Sequence, residues 1–315
     1  MEEERIYHVP VMLKQVIDYL EPFPGKVLLD CTAGGGGHSE ALLQKIIPNG
    51  KLIAMDQDKE AVQATEKRLS RYGNDKYKVI HSNFEHLKEV VTKICPHGLD
   101  GILFDLGVSS RQLDEAKRGF SYQQDAPLDM RMNKAAHKTA ADVLNGYTEE
   151  ELAQIIWRYG EERWARRIAQ FIVKARENQA ILTTGELVEI IKKAVPKEAR
   201  REGPHPAKRT FQAIRIEVNR ELEIIKTAIE QAVEMLKPQG KIAVISFHSL
   251  EDRIVKQTLR ELSKGCICPK DLPVCVCGKK ALIKITNSKP ILPSQEEIEE
   301  NPRARSAKLR LAEKI

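Results

Sequence analysis

Val27-Leu28-Leu29-Asp30-Cys31-Thr32-Ala33-Gly34-Gly35-Gly36-Gly37-His38-Ser39 is the stretch whose reading decides the fold. An apolar run ends on an acid, passes into four consecutive glycines, and gives way to a helical pattern over about 39–47. Glycine permits positive φ, and without a Cβ it lets a ligand lie against the backbone. The N-terminus of the following helix offers free N–H groups to an anionic group. Four glycines exceed what an ordinary tight turn between strand and helix needs, so the segment reads as a ligand-binding loop at the tip of a buried strand.

Working outward, apolar runs at 51–55, 77–81 and 101–105 alternate with helical patterns at 11–20, 59–71 and 85–94. Short buried strands alternating with amphipathic helices imply βαβ units, and right-handed crossovers leave chiefly a doubly wound, mostly parallel α/β sheet. The alternation stops after Ser110, and 113–206 holds no convincing strand. Leu152, Ile155, Ile156, Trp164, Ile168 and Phe171 recur at helical spacing, and Thr183, Thr184 and Glu186 mark a helix start. The expected organisation is therefore an inserted all-helical domain, 113–206, within a sheet domain made of 1–112 and 207–315. A long helix over 211–236, a stop at Pro238-Gln239-Gly240 and a strand at 241–247 restore the pattern. Late strands at 281–286 and 308–312 could form an antiparallel edge.

Ligands of such sheets gather beyond the strand carboxyl ends. Asp30, ahead of the glycines, would repel a pyrophosphate. It could instead accept hydrogen bonds from the α-amino group of the methionine part of S-adenosylmethionine (SAM). A dinucleotide fingerprint counted from Gly34 would want glycine at Ser39, and that mismatch weakens a nicotinamide-dependent oxidoreductase reading. Asp56 closes the second strand, where an acid typically holds ribose hydroxyls. Phe84 follows the third and could lie on an adenine face or simply fill the core. Asp105 ends the fourth and falls at the reacting centre, unless it only caps the next turn.

Bulk properties set the surroundings. At 315 residues, 42% hydrophobic and 30% charged, the chain is an ordinary globular one with room for a second unit. No apolar run approaches the roughly 20 residues that span a bilayer. The opening M-E-E-E-R-I-Y has no apolar signal core, so the expectation is a cytoplasmic protein with no membrane contact. Net charge is +6, and 115–215 holds 19 Lys/Arg against 14 Asp/Glu, which fits an anionic partner.

Several longer motifs together resemble one family, the small-subunit ribosomal RNA (cytosine-N4) methyltransferase H family, also called MraW. They are H-V-P-V-M-L (8–13), the glycine loop, M-D-Q-D (55–58), D-L-G-V-S-S-R-Q-L-D (105–114) and R-G-F-S-Y-Q-Q-D-A-P-L-D-M-R-M (118–132). K-R-T-F-Q-A-I-R-I-E-V-N-R-E-L (208–222), I-S-F-H-S-L-E-D-R-I-V-K (245–256) and N-P-R-A-R-S-A-K-L-R (301–310) complete the series in the expected order. The resemblance implies a class I SAM-dependent methyltransferase fold carrying a helical insertion. It implies SAM contacts from Gly36, Gly37, His38, Asp56, Phe84, Asp105 and Gln112, and N4-methylation of the 16S rRNA cytidine usually numbered 1402. It also suggests a homodimer. A non-enzymatic reading, a ribosome-assembly factor that keeps the fold without turnover, is disfavoured by the intact glycine loop, Asp56 and Asp105.

Positioning should dominate the chemistry, because SAM already carries a good leaving group. A carboxylate accepting an amine N–H would favour attack and stabilise the charge developing on nitrogen. Asp105 is assigned this part, or that of holding SAM beside the group that plays it, with Ser109 or Ser110 as a further polar contact. Phe120, Tyr122 and Phe247 are candidates for holding an unstacked base. RNA contact is expected from Lys197, Arg200, Arg201, Lys208 and Arg209, and more weakly from Arg303, Arg305, Lys308 and Arg310. His248 is either a substrate contact or a structural histidine. Cys266, Cys268, Cys275 and Cys277 could close a tetrahedral zinc site, although the pairs are C-x-C rather than C-x₂-C. Some members of the family lack these cysteines, so the chemistry does not require them.

Overall fold

Seven strands, β1 (Val27–Asp30), β2 (Lys51–Asp56), β3 (Tyr77–His81), β4 (Leu99–Asp105), β5 (Leu236–Ser246), β6 (Ile283–Ile285) and β7 (Lys308–Lys314), form one sheet. Their order is β3-β2-β1-β4-β5-β7-β6. The first five are parallel, and β7 runs antiparallel to both β5 and β6. The computed structural model describes residues 10–201, 205–266, 268, 269, 274 and 276–315.

Side chains alternate across the strands, and both faces are buried. Leu29, Ile53, Phe104 and Val244 share one core with the helices Leu87–Ile94, Glu221–Met235 and Ser249–Ser263. Leu28, Leu52, Leu103 and Ala243 share the other with Leu13–Leu20, Gly37–Ile46 and the end of Lys59–Leu69. Strands covered on both sides must be apolar at nearly every position, which is why their sequences read as unbroken runs.

Two compact units emerge: Met1–Gly107 with Leu222–Ile315, and Val108–Glu221. The second is helical, and its described residues hold no strand beyond an isolated bridge between Pro127 and Thr183. Three of its helices begin on threonines. Thr139, Thr148 and Thr183 each accept the N3 amide while an acid, Asp142, Glu151 or Glu186, returns the bond. The helix Ala207–Asn219, expected from the sequence to belong to the sheet domain, packs on Glu149–Gly160 within this unit.

The long helix expected over 211–236 is two helices, Ala207–Asn219 and Glu221–Met235, broken where Arg220 is left-handed at φ 52°. Asn219 anchors the break: its amide donates to Met130 O (2.8 Å) and Arg215 O (2.9 Å), and its side-chain oxygen accepts Met132 N–H (2.7 Å). Arg215 then grips Glu221 through two 2.9 Å bonds. Pro238-Gln239-Gly240 is likewise no simple stop. Leu99 pairs with Leu236 and Gly101 with Lys241, so these residues bulge out of a strand that starts earlier than expected.

In the helical unit the R-G-F segment is held from beneath. Arg118, 2% exposed, donates to Arg131 O (2.9 Å) and Met132 O (3.0 Å). Gly119 is left-handed at φ 70°, and a Cβ there would lie 2.3 Å from Pro127 O and 2.9 Å from Asp129 N.

Candidate active site

The tips of β1, β2 and β4 meet at the glycine loop. Asp30 is fully buried; one carboxylate oxygen accepts Thr32 N–H (3.1 Å) and the other the Ser39 hydroxyl (2.6 Å). Burial pushes its carboxyl up, against the pull of His38, Ser39 and Thr32. Thr32 also locks the neighbouring tip, since its hydroxyl oxygen accepts Asp105 N–H at 2.7 Å. Asp56 accepts Gly34 N–H and Asp58 N–H, both at 2.8 Å, and so holds the loop and the start of the next helix together.

Only part of the glycine run is required by backbone conformation. Gly34 (φ 54°) and Gly36 (φ 76°) occupy the left-handed region. Gly37 is constrained by the protein itself, because a Cβ would approach Pro10 Cγ to 2.5 Å. Behind the loop, Thr65 and Arg68 donate to the carbonyls of Gly34 (3.2 Å) and Gly35 (3.2 Å).

His38 and Asp105 form the polar centre. His38 is 5% exposed, and its Nε2 lies 3.0 Å from Val11 O, an acceptor that requires the proton to sit on Nε2. Burial holds the imidazole below its ordinary pKa and hence neutral, which leaves Nδ1 as a lone pair. That lone pair lies 3.6 Å from Asp105 Oδ2. Asp105 Oδ1 is buried and accepts no hydrogen bond from the described residues. Burial, then the carboxylates of Asp30 and Glu251, push the Asp105 carboxyl well above the usual range. Such a cluster of acceptors lacks a donor, and a cationic N–H donor would satisfy it.

Phe84 meets Phe104 edge-to-face with centroids 5.7 Å apart, so one side of its ring belongs to the core. Ser109 and Gln112 lie in the helical unit, where they cap the helix Ser110–Asp114 reciprocally: Gln112 N–H donates to Ser109 Oγ (3.2 Å), and Ser109 N–H to Gln112 Oε1 (3.0 Å). Thr32, Ser39 and Glu251 carry no sequence signal strong enough to mark them as site residues. Glu251 is 1% exposed and takes the Phe247 N–H at 2.8 Å; its only local sign is the capping spacing His248-x-x-Glu251. His248 is that helix's N-cap, which gives it a structural part.

Lys197, Arg200 and Arg201 follow the helical unit's Thr184–Ala194 helix, Lys208 and Arg209 lie in the first turn of Ala207–Asn219, and all five are exposed. Arg209 also donates to Glu161 O (3.2 Å). In the same unit Tyr122 stacks on His205 at 4.7 Å and meets Phe211 edge-on. Arg310 departs from expectation. It is 7% exposed and grips Asp252 at 2.6 and 3.1 Å, because its strand lies inside the sheet, and it is not available to RNA. Cys266, Cys268 and Cys277 converge elsewhere in the sheet unit, whereas Cys275 lies outside the described residues.

Asp56 makes a pH prediction. Burial raises its carboxyl from 3.8 to about 6. The folded chain therefore keeps a proton that the unfolded chain has released between about pH 4 and about pH 6. Stability falls as pH rises through that window, by about 2 kcal/mol once partial exposure is allowed for. Urea unfolding across this range should show a smaller fall in Asp56→Asn than in the parent chain; parallel profiles would refute the assignment.

A parallel sheet ordered 3-2-1-4-5 with an antiparallel seventh strand between the fifth and sixth, and a glycine loop flanked by acids at the strand tips, define a class I methyltransferase. A model of the MraW methylase family matches residues 5–315. The chain belongs to that family. It is 55% identical over 309 residues, covering 98% of each chain, to the ribosomal RNA small subunit methyltransferase H of Brevibacillus brevis. The protein of the same name from Clostridioides difficile is 57% identical over 309 residues, covering 98% of this chain and 99% of its own. Among the described residues, no helix is long and apolar enough to cross a membrane.

Proposed function

We propose that this enzyme transfers the methyl group of SAM to the exocyclic N4 of a decoding-centre cytidine of 16S rRNA, position 1402. The relatives that match it over nearly their whole length carry a ribosomal RNA methyltransferase name. The observation that carries the chemical part is the donor-less pair formed by Asp105 and the neutral face of His38.

SAM supplies an electrophilic methyl group on a sulfonium leaving group. Asp30, Gly34, Gly36, Gly37 and His38 would hold its amino-acid end, Asp56 the ribose and Phe84 the adenine. His38 Nδ1 and Asp105 Oδ2 suit the α-ammonium. Asp105 Oδ1 would then remain to accept an N–H from the target amine, which would favour the nitrogen lone pair for attack and offset charge as it develops. The base must leave its stack to be reached.

Incubating the enzyme with labelled SAM and unmethylated small subunits, followed by nucleoside analysis, should yield N4-methylcytidine at one site. Label in another nucleoside, or none, would overturn the reading. RNA recognition falls to the helical unit. Replacing Lys197, Arg200, Arg201 and Lys208 by alanine should make rRNA binding less sensitive to salt, the log–log slope flattening by about 0.7–0.9 for each phosphate no longer neutralised. A slope equal to the parent's would place the phosphate-binding residues on another surface.

A further inference from the structure

The loop 264–282, between the helix Ser249–Ser263 and β6, does no work in the site described above. Two of its described apolar residues, Val274 and Val276, are 70% and 78% exposed and do not anchor it. Its ends are tied by Leu282 N–H to Leu262 O (2.9 Å), and Lys279 Nζ donates to Glu261 O (3.1 Å). Within it, Cys266, Cys268 and Cys277 converge so that their sulfurs all lie within 4.8 Å of one another, and none is in a disulfide.

We propose that Cys266, Cys268 and Cys277 form a structural site for a soft divalent cation of the zinc class. Cys277 Sγ stands 3.8 Å from Cys266 Sγ. In a tetrahedron of zinc–sulfur bonds of about 2.3 Å, the sulfur–sulfur edge is about 3.8 Å. The Cys268 backbone N–H points at Cys266 Sγ (3.4 Å), as an amide does when it supports a metal-bound thiolate. Two cysteines one residue apart cannot give such a site alone; Cys277 arrives from the far side of the loop and closes it. Each thiol releases its proton as the metal binds, and a further donor completes the fourth corner. The cation would fasten the loop to the end of the helix and the start of the edge strand.

The test uses the full chain, purified with a non-chelating reductant and exposed to zinc. Elemental analysis should find about one zinc per chain. The double variant Cys266→Ser with Cys277→Ser should fall at least tenfold, to the level of a protein with no site. Cobalt titration of the parent chain gives a readout that needs no variant, and it should produce thiolate charge-transfer absorption with the strong visible bands of four-coordinate cobalt. Equal zinc content in parent and double variant, or cobalt binding without the charge-transfer absorption, would overturn the proposal. SAM affinity serves as the fold control, because none of the three cysteines lies in the glycine-loop site.

Discussion

Asp105→Asn should lower methyl transfer at saturating SAM by about 10³-fold, within the usual range for a lost acid–base group. Asparagine fits the same space and keeps the backbone bond to Thr32, so the effect is chemical. It replaces a carboxylate oxygen by an N–H₂ group that would point its hydrogens at a cationic donor. Losing one charge-assisted bond costs about 1.5–3 kcal/mol, so SAM should also bind roughly 10–150 times less tightly. The two readouts separate the two parts assigned to Asp105. A fall in SAM affinity alone would leave it as a holder of SAM. A fall in turnover with SAM saturating marks the acceptor of the amine proton. Full turnover with undiminished affinity would end both assignments. The raised carboxyl of Asp105 adds a direction: its protonated form cannot balance a cation, so SAM affinity should weaken as pH falls.

Gly119→Ala should destabilise the helical unit by about 3 kcal/mol or more, combining a left-handed backbone with a backbone clash. At φ 70° the residue is already unfavourable for any L side chain. Because the added Cβ would meet the Pro127 carbonyl oxygen at 2.3 Å, no rotamer change can relieve it. Moving Pro127 would carry Leu128 and Asp129 with it, together with the Met130 amide bond to Arg118 O and the Leu128 amide bond to Leu182 O. Differential hydrogen exchange should show weaker protection across 118–132 and the start of Thr184–Ala194. Gly146→Ala is the control, as a Cβ there meets nothing within 4 Å. Equal stability of the two variants would mean that the turn is not under constraint.

Much of this was legible because strand burial on both faces and helix burial on one leave different periods in the sequence. Leu28–Leu29, Leu52–Met55 and Leu103–Phe104 announced β1, β2 and β4, and the acids at 30, 56 and 105 fell at the tips as expected. Thr183 and Glu186 carried their cap openly. The break at Arg220 did not show, since helical spacing of apolar residues continues from Ile216 to Ile224 and no glycine or proline marks it. What breaks the helix is Asn219 reaching Met130, a partner 89 residues away. Gly37 suggests room for a ligand, whereas the neighbour that needs the space is Pro10. Arg310 looks like an exposed cation because its partner, Asp252, lies 58 residues earlier. Local patterns encode elements; they do not encode which distant side chain will meet them.

The order in which the strands are synthesised and the order in which they lie differ at one side of the sheet. β6 touches no strand but β7, and β7 is made after it. Until Lys308 and the residues beyond it are translated, β5 presents an edge of unpaired N–H and C=O groups and the three residues of β6 have nowhere to dock. About 130 residues also separate β4 from β5, so at some 5–20 residues per second the nascent chain carries β4 with its β5-facing edge unpaired for roughly 7–26 seconds. Chains stalled on the ribosome within that interval should recruit chaperones more strongly than chains released after β7.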